Sequence, residues 1–386
     1  MEQNKNIMTD FQKALDLKIR QSIKNNHGVE NYDEFRFGKL SVNNSIPVHK
    51  PINLKKELKN IIKNILGYDP YLKVYKADGR KLIAPYEVQI NTIWNNISKL
   101  DKDLLVSLIA YRVLGYKKVK LPRNNQAYWE AIEKAIKLSN KDDTYDPNFM
   151  HFILDKFDLK PIGFDIEFYF SEIGVAIDFI IEQYSYKVNG KDIVAVEKGD
   201  VVLDVGACWG DTAMYFASKT GSEGKVFSFE FIPNNIKLFK LNISFNPTLI
   251  DQIELVSQPV SDNSGQTIYF KDHGPGSIVK FEPFLEQSGS STTVSIDDFV
   301  KSKHIKTIDF IKMDIEGAET LALEGAIETI KKFRPKLAIA IYHSMDDFFN
   351  IPNWILSLNL DYEIFIGHYT IHAEETICFA KPRIKS

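Results

Sequence analysis

The stretch Asp200-Val-Val-Leu-Asp-Val-Gly-Ala-Cys-Trp-Gly-Asp-Thr-Ala-Met-Tyr-Phe216 decides how the rest of this chain is read. Residues 201–205 form a short, almost wholly apolar run, as expected of a strand buried on both faces. Gly206 and Gly210 then permit a tight turn and close approach of the backbone to a ligand. Asp211 and Thr212 can cap a following helix, whose first N–H groups would face any anionic group lying there. The glycines are spaced G-x-x-x-G, not in the G-x-G-x-x-G pattern of dinucleotide binders. Asp204, an acid at the strand's end, would repel a pyrophosphate but could hold an ammonium group, directly or through water.

The next apolar run, Gly224-Lys-Val-Phe-Ser-Phe-Glu-Phe-Ile-Pro233, carries a second acid, Glu230, about twenty residues past the turn, the distance at which an acid meets ribose hydroxyls in adenosine cofactors. A solvated strand end is the plainer account of Glu230. With Pro233 at a favoured first helical position, however, Glu230 falls at the carboxyl edge of the sheet, where open α/β sheets bind ligands. A ligand with an amino-acid group at one end and a ribose at the other fits both acids. S-adenosylmethionine (SAM) is the cofactor inferred.

The chain has 386 residues, enough for two domains, and its 44% apolar content suffices for a core. A formal charge of -3 leaves no overall basic field, so general nucleic-acid binding is not expected. Two cysteines, Cys208 and Cys378, exclude a disulfide framework or a cysteine-rich zinc site. The polar start, residues 1–24, lacks the apolar core of a signal peptide, and no apolar run approaches bilayer length. A cytoplasmic protein without a membrane span is expected, of unspecified oligomeric state.

Residues 1–160 read as a mainly helical domain. Phe11, Leu15, Ile19 and Ile23 recur at four-residue spacing, and Leu54, Leu58, Ile61, Ile62 and Ile65 make a second stripe ended by Gly67. Further helices are expected at 88–100, 104–114 and 127–138. Arg112, Lys117, Lys118, Lys120 and Arg123 read as a solvated face, or as a contact for a phosphate-bearing substrate. From 161 to 386 a second domain is expected, entered through β-rich segments at 166–170 and 174–181 and a hairpin turn at Asn189-Gly190. Alternating strands and helices then imply a parallel sheet, interrupted near 264–296 by an antiparallel insertion and resumed at 307–313 and 336–341.

Taken in order, Asp204-Val-Gly-Ala-Cys-Trp-Gly-Asp-Thr212, Phe229-Glu-Phe-Ile-Pro-Asn234, Val260-Ser-Asp-Asn-Ser-Gly265, Phe310-Ile-Lys-Met-Asp-Ile-Glu-Gly-Ala-Glu319 and Tyr342-His-Ser344, with Ile351-Pro352, resemble the FkbM family of SAM-dependent methyltransferases over roughly residues 165–380. The resemblance implies an α/β fold of class I methyltransferase type: seven strands, mainly parallel, with a terminal antiparallel pair. It also implies O-methyl transfer to a hydroxyl of a sugar, glycan precursor or secondary metabolite. The helical amino-terminal region lies outside the family's core.

On these motifs the expected cofactor contacts are Asp204, Gly206, Ala207, Cys208, Gly210, Asp211 and Thr212 in the turn, and Glu230 with Phe231 on the second strand. Ser261 and Asp262 would meet the adenine, and Asp314 would reach the cofactor or the acceptor. Gln183, Tyr184 and Tyr186 would close over the methionine portion. His343 is the first candidate for general base, since imidazole titrates near neutral pH; Asp314 is the second. Asp314, Glu316 and Glu319 could bind a divalent cation, but helix capping explains the same acids more simply, and no metal is assigned. His368 and Tyr369 are expected to face the acceptor. Two other readings remain open: a nicotinamide-dependent oxidoreductase, disfavoured by the glycine spacing and by Asp204, and a SAM-binding protein without turnover.

Overall fold

The computed structural model describes residues 9–40 and 71–383, which fall into two compact units. The stripe of residues 54–65 lies outside the described residues. The first unit reaches Asn124 and includes Ile371–Ala373. Its longer helices among the described residues are Asp10–Ser22, Leu72–Ile83, Glu87–Asn96 and Lys99–Leu114. Thr9 and Gln12 cap the first of these reciprocally, and it buries Phe11, Leu15 and Ile19, with Ile23 just beyond its end, as their spacing predicts. Of the basic run, Arg112 donates to the Ala373 carbonyl and Lys118 to the Asn25 carbonyl, so both are tied to backbone.

The second unit comprises 125–370 and 374–386. The sequence reading divides the chain near residue 160, but helix Gln126–Leu138 packs on residues 175–181 and so joins this unit. Strands β1 (Ser139–Tyr145), β2 (Leu154–Asp158) and β3 (Glu167–Phe170) pair antiparallel in one small sheet. β1 is polar along its length and shows no alternation that would reveal a strand.

Residues 174–181, expected to be β-rich, are helical instead. Ser171 caps a helical turn at Glu172–Gly174, which continues as a π-helix, Val175–Ile181. A buried run of branched residues is ambiguous by pattern, and here helical packing overrides β propensity. Glu182, in the left-handed conformation, ends it. The hairpin of β4 (Tyr186–Val188) and β5 (Lys191–Val194) turns through Asn189 and Gly190, both at positive φ.

The main sheet holds β6 (Val201–Val205), β7 (Lys225–Phe229), β8 (Ile253–Val256), β12 (Phe310–Met313), β13 (Lys336–Ala340), β14 (Tyr362–His368) and β15 (Thr376–Pro382). Its order is β14-β15-β13-β12-β6-β7-β8, and only β15 runs against its neighbours. The two strands flanking the first glycine turn are therefore β12 and β7. This is the class I methyltransferase topology. The insertion between β8 and β12 folds as β9 (Thr267–Lys271), β10 (Ile278–Lys280) and β11 (Gly289–Thr292), with β9 central. β11 ends at Thr292, and Ser295 caps the helix Ile296–Ser302. Among the described residues no helix is long and apolar enough to cross a membrane.

Candidate active site

Register places Ser228 of β7, Asp204 of β6 and Lys312 of β12 side by side across the sheet. All three are buried: Asp204 is 0% and Lys312 1% exposed. The Asp204 carboxylate accepts from both Thr212 Oγ1, at 2.9 and 3.0 Å, and Ser228 Oγ, at 3.3 Å, and it lies 3.2 Å from Lys312 Nζ. Lys312 donates to the Gly206 carbonyl at 2.6 Å and sits 5.3 Å from the Tyr184 ring centroid. Burial works against the ammonium charge, but Asp204, Asp314 and Asp211 overcome it and hold the pKa above that of an ordinary lysine. Asp204 thus supports the turn from beneath, where the sequence reading had it touching the cofactor. Its carboxylate is spent on fixing Lys312 and Thr212.

The turn itself is locked from the β12 side. Gly206 has φ +89°, and a Cβ there would stand 2.0 Å from the Asp314 carbonyl oxygen. Gly206 and Ala207 both donate their N–H to the Phe229 carbonyl at 3.0 Å. Cys208 follows at φ 42°, and burial, with Asp211 and Glu230 nearby, pushes its thiol well up, so it stays protonated. Gly210 leads into the helix Asp211–Thr220.

At the tip of β7 the Glu230 side chain is 7% exposed. Its Oε1 accepts from the N–H groups of Phe231 and Ile232, at 2.6 and 2.7 Å, and Oε2 accepts from Asn235 Nδ2 at 3.1 Å. Asn235 in turn accepts from Trp209 Nε1, tying the carboxylate to the glycine turn. Burial pushes Glu230 up to about 7 in spite of these hydrogen bonds. The Phe231 ring meets Phe270 edge-on. Beyond β8, buried Ser261 donates to Asp262, which also accepts from Asn263; each carboxylate oxygen keeps spare acceptor capacity. A Cβ on Gly325 would strike the Ser261 carbonyl oxygen at 2.2 Å, so the loop after β8 is pressed against the break between helices Glu319–Glu324 and Ile327–Phe333.

A dense group of carboxylates surrounds the far end of the turn. Asp314 accepts from Tyr184 OH at 2.9 Å and from Tyr342 OH at 3.1 Å. Gln183 donates to Glu375 at 2.7 Å. Burial pushes Asp211 up to about 6, helped by Asp204 and opposed by Lys312. Burial and the charges of Asp211 and Glu375 also raise Asp178 well above an ordinary carboxylate. Carboxylates outnumber the one buried lysine here, so the region favours a cationic ligand. That donor set fits a molecule carrying a sulfonium and an ammonium group.

His343, delivered by β13, lies 3.4 Å from Asp314, 3.7 Å from Glu316 and 3.1 Å from Glu319. Burial works to discharge the imidazole, but the close approach of Glu319 and the charges of Asp314 and Glu316 prevail and push it up to about 10. The expectation that it titrates near neutral pH does not hold in this surrounding. Asp314, Glu319 and His343 could together hold a metal ion.

Three sequence-derived positions make packing or hydrogen-bond contacts within the fold. Tyr186 packs its ring on Phe365 and Phe379, at 4.9 and 5.6 Å, whereas Tyr184 gives its hydroxyl to Asp314. His368 is buried and shares a hydrogen bond with Thr376, and Tyr369, also buried, donates to the Ser185 carbonyl. Residues without an assigned role in the sequence reading, Lys312, Asn235, Asp178 and Glu375, belong to the site. Only Lys312 advertised itself, as a lysine inside the apolar run Phe310-Ile-Lys-Met313.

Residues 204–364 match the model of the methyltransferase FkbM domain. Over these residues the chain is similar to FkbM methyltransferases. Within the matched residues fall the glycine turn, Glu230, Lys312, Asp314 and His343. The 2-O-methyltransferase NoeI of Sinorhizobium fredii (strain NBRC 101917 / NGR234) is 26% identical over 168 residues, which span 39% of this chain and 67% of NoeI. Among solved structures, the FkbM methyltransferase of Methylobacillus flagellatus KT aligns over 85% of this chain and 71% of its own, at 18% identity and a TM-score of 0.49. Fibrillarin of Aeropyrum pernix, solved with bound SAM, aligns over 62% and 96% at 12% identity and a TM-score of 0.32.

Proposed function

We propose that this chain binds SAM at the carboxyl ends of β6, β7, β8 and β12 and is an O-methyltransferase whose acceptor is a hydroxyl of a sugar, glycan precursor or secondary metabolite. The observation that carries the reading is the buried Glu230 carboxylate, fixed by Asn235 beside the glycine turn, with an excess of acids at the turn's other end. Glu230 would accept from the ribose hydroxyls, with Phe231 beside it. Ser261 and Asp262 would meet the adenine, and Gly206, Ala207, Cys208, Gly210, Asp211 and Thr212 would border the methionine portion. Gln183 supports that end through Glu375. The similarity to NoeI, a 2-O-methyltransferase, supports oxygen as the methylated atom.

Bound SAM supplies a methyl group activated by a sulfonium. The chain's own residues must orient the acceptor oxygen in line with that methyl and take up its proton. Asp314, steadied by two tyrosine hydroxyls, accepts the acceptor's hydrogen bond. The His343 imidazolium lies 3.4 Å from Asp314 and offsets its charge, and the proton leaves through Glu316, whose side chain is half-exposed.

Calorimetric titration with S-adenosylhomocysteine and, in parallel, with NAD tests the cofactor. Saturable binding of the former alone, weakened at least tenfold by Glu230→Ala, is expected; NAD binding, or an unchanged affinity in the variant, overturns the assignment. Transfer of label from SAM into nucleotide sugars and glycans then tests turnover, and its absence with cofactor binding intact would leave a non-catalytic binding protein.

A further inference from the structure

The tips of β12 and β13 bring Asp314, Glu319 and His343 so close that one ligand atom from each lies within 4.8 Å of the others. Helix capping accounts for only part of this arrangement. Glu319 Oε1 does accept from Ile315 N–H at 2.7 Å, but the side chain is 0% exposed and Oε2 has no hydrogen-bond partner. His343 is equally unusual: its side chain is 9% exposed, and neither ring nitrogen makes a hydrogen bond although carboxylate oxygens approach to 3.1 and 3.4 Å. Groups at contact distance with the wrong angles for hydrogen bonds, one of them orphaned away from water, are costly unless something bridges them.

We propose that Asp314, Glu319 and His343 ligate a first-row divalent cation at the acceptor end of the site. One imidazole and two carboxylates suit Mn²⁺ or Zn²⁺ better than Mg²⁺, which prefers oxygen donors and water. The surroundings are those of a ligand set: Asp314 is oriented by the Tyr184 and Tyr342 hydroxyls, and Glu319 by the Ile315 N–H. Beside Asp314 and Glu319, Glu316 is exposed, giving the ion a route to solvent and to an incoming hydroxyl.

The role of the ion rests on the methyl-transfer reading; the site itself rests on geometry alone. Bound to the cation, the acceptor hydroxyl would lose its proton more readily. The proton passes to solvent through Glu316, the oxygen forms its bond to the methyl carbon, and the carbon–sulfur bond breaks with its electron pair remaining on sulfur. The cation displaces the His343 proton to solvent as it binds; Asp314 and His343 then act as its ligands and the ion takes over activation of the hydroxyl.

The test uses the full chain after treatment with a chelator. Titration with Mn²⁺, followed by the loss of its free EPR signal, should show one tight site, weakened at least tenfold in Glu319→Gln and in His343→Gln, with circular dichroism confirming that each variant folds. Nitrogen hyperfine coupling in the pulsed EPR spectrum of the Mn²⁺-loaded wild type reads the imidazole directly and needs no variant. Absence of saturable binding, folded variants that bind as the wild type does, or a bound ion without nitrogen coupling overturns the proposal. S-adenosylhomocysteine titration of the same sample is scored separately. Mn²⁺ binding without it sinks the methyl-transfer reading and leaves the metal site standing; the reverse sinks only the metal site.

Discussion

Lys312 stands opposite Asp204 in register on adjacent parallel strands, its ammonium 3.2 Å from the carboxylate, with both side chains sealed from water. The pair anchors the turn through the Gly206 carbonyl and the helix start through Thr212. It is therefore the foundation of the crevice and not part of its lining.

Removing one partner of such a pair leaves a buried charge uncompensated, at a cost of about 3–5 kcal/mol. Lys312→Met should therefore lower the stability of the folded chain by about that amount in urea unfolding. Adding Asp204→Asn to Lys312→Met should cost less than the two single losses combined, because both belong to one network. Additive losses would show that the two residues are not coupled.

Gly206→Ala confronts a different constraint. A Cβ at φ +89° meets the Asp314 carbonyl oxygen at 2.0 Å, and backbone cannot yield as a flexible side chain can. The left-handed conformation alone costs on the order of 1–3 kcal/mol. Since relief requires the ends of β6 and β12 to part, S-adenosylhomocysteine affinity should fall at least tenfold along with the melting temperature. A variant that loses neither would mean the turn is not held against β12.

The pH dependence of cofactor binding should follow Glu230. Burial raises its pKa from the ordinary 4.5 to about 7, so the unliganded chain carries it increasingly protonated below neutrality. A protonated carboxyl accepts ribose hydroxyls less well, and S-adenosylhomocysteine should bind more tightly at pH 8 than at pH 6. Stability runs the other way. A folded-state pKa above the unfolded one gives a contribution present in full below about 4.5 and lost as pH rises through about 7. Glu230→Gln should flatten both trends; the same slope of affinity with pH in that variant would assign the titration to another group.

Much of this architecture was legible because buried strands and turns write local signals. The apolar runs of β6, β7, β12 and β13, and the Asn189-Gly190 turn, all declare themselves within a few residues. What was hidden depends on contacts distant in sequence. Residues 175–181 carry the composition of a strand yet pack as a helix against residues 126–138. Asp178 and Glu375 reach one cluster from opposite ends of the second unit, and nothing near either marks it. Asp204 looked like a ligand because its strand-end position is visible, while its partner Lys312 lies over a hundred residues away. His343 looked like a neutral base because its charged neighbours come from another strand's end.

Tyr184 and Tyr186, two residues apart, should separate binding from packing. Tyr184 gives its hydroxyl to Asp314 at 2.9 Å, whereas Tyr186 lays its ring against Phe365 and Phe379. Tyr184→Phe keeps the ring and its packing and removes one of the two tyrosine hydroxyls that donate to Asp314. If Asp314 acts at the reacting centre, methyl transfer should slow by at least tenfold in that variant with little change in the unfolding midpoint. Tyr186→Ala should do the reverse: it loses aromatic packing on the sheet, about 2 kcal/mol for a partly buried ring, and leaves S-adenosylhomocysteine affinity as it was. Equal effects of the two substitutions on affinity and stability would return Tyr186 to the cofactor site and remove the reason for preferring Tyr184.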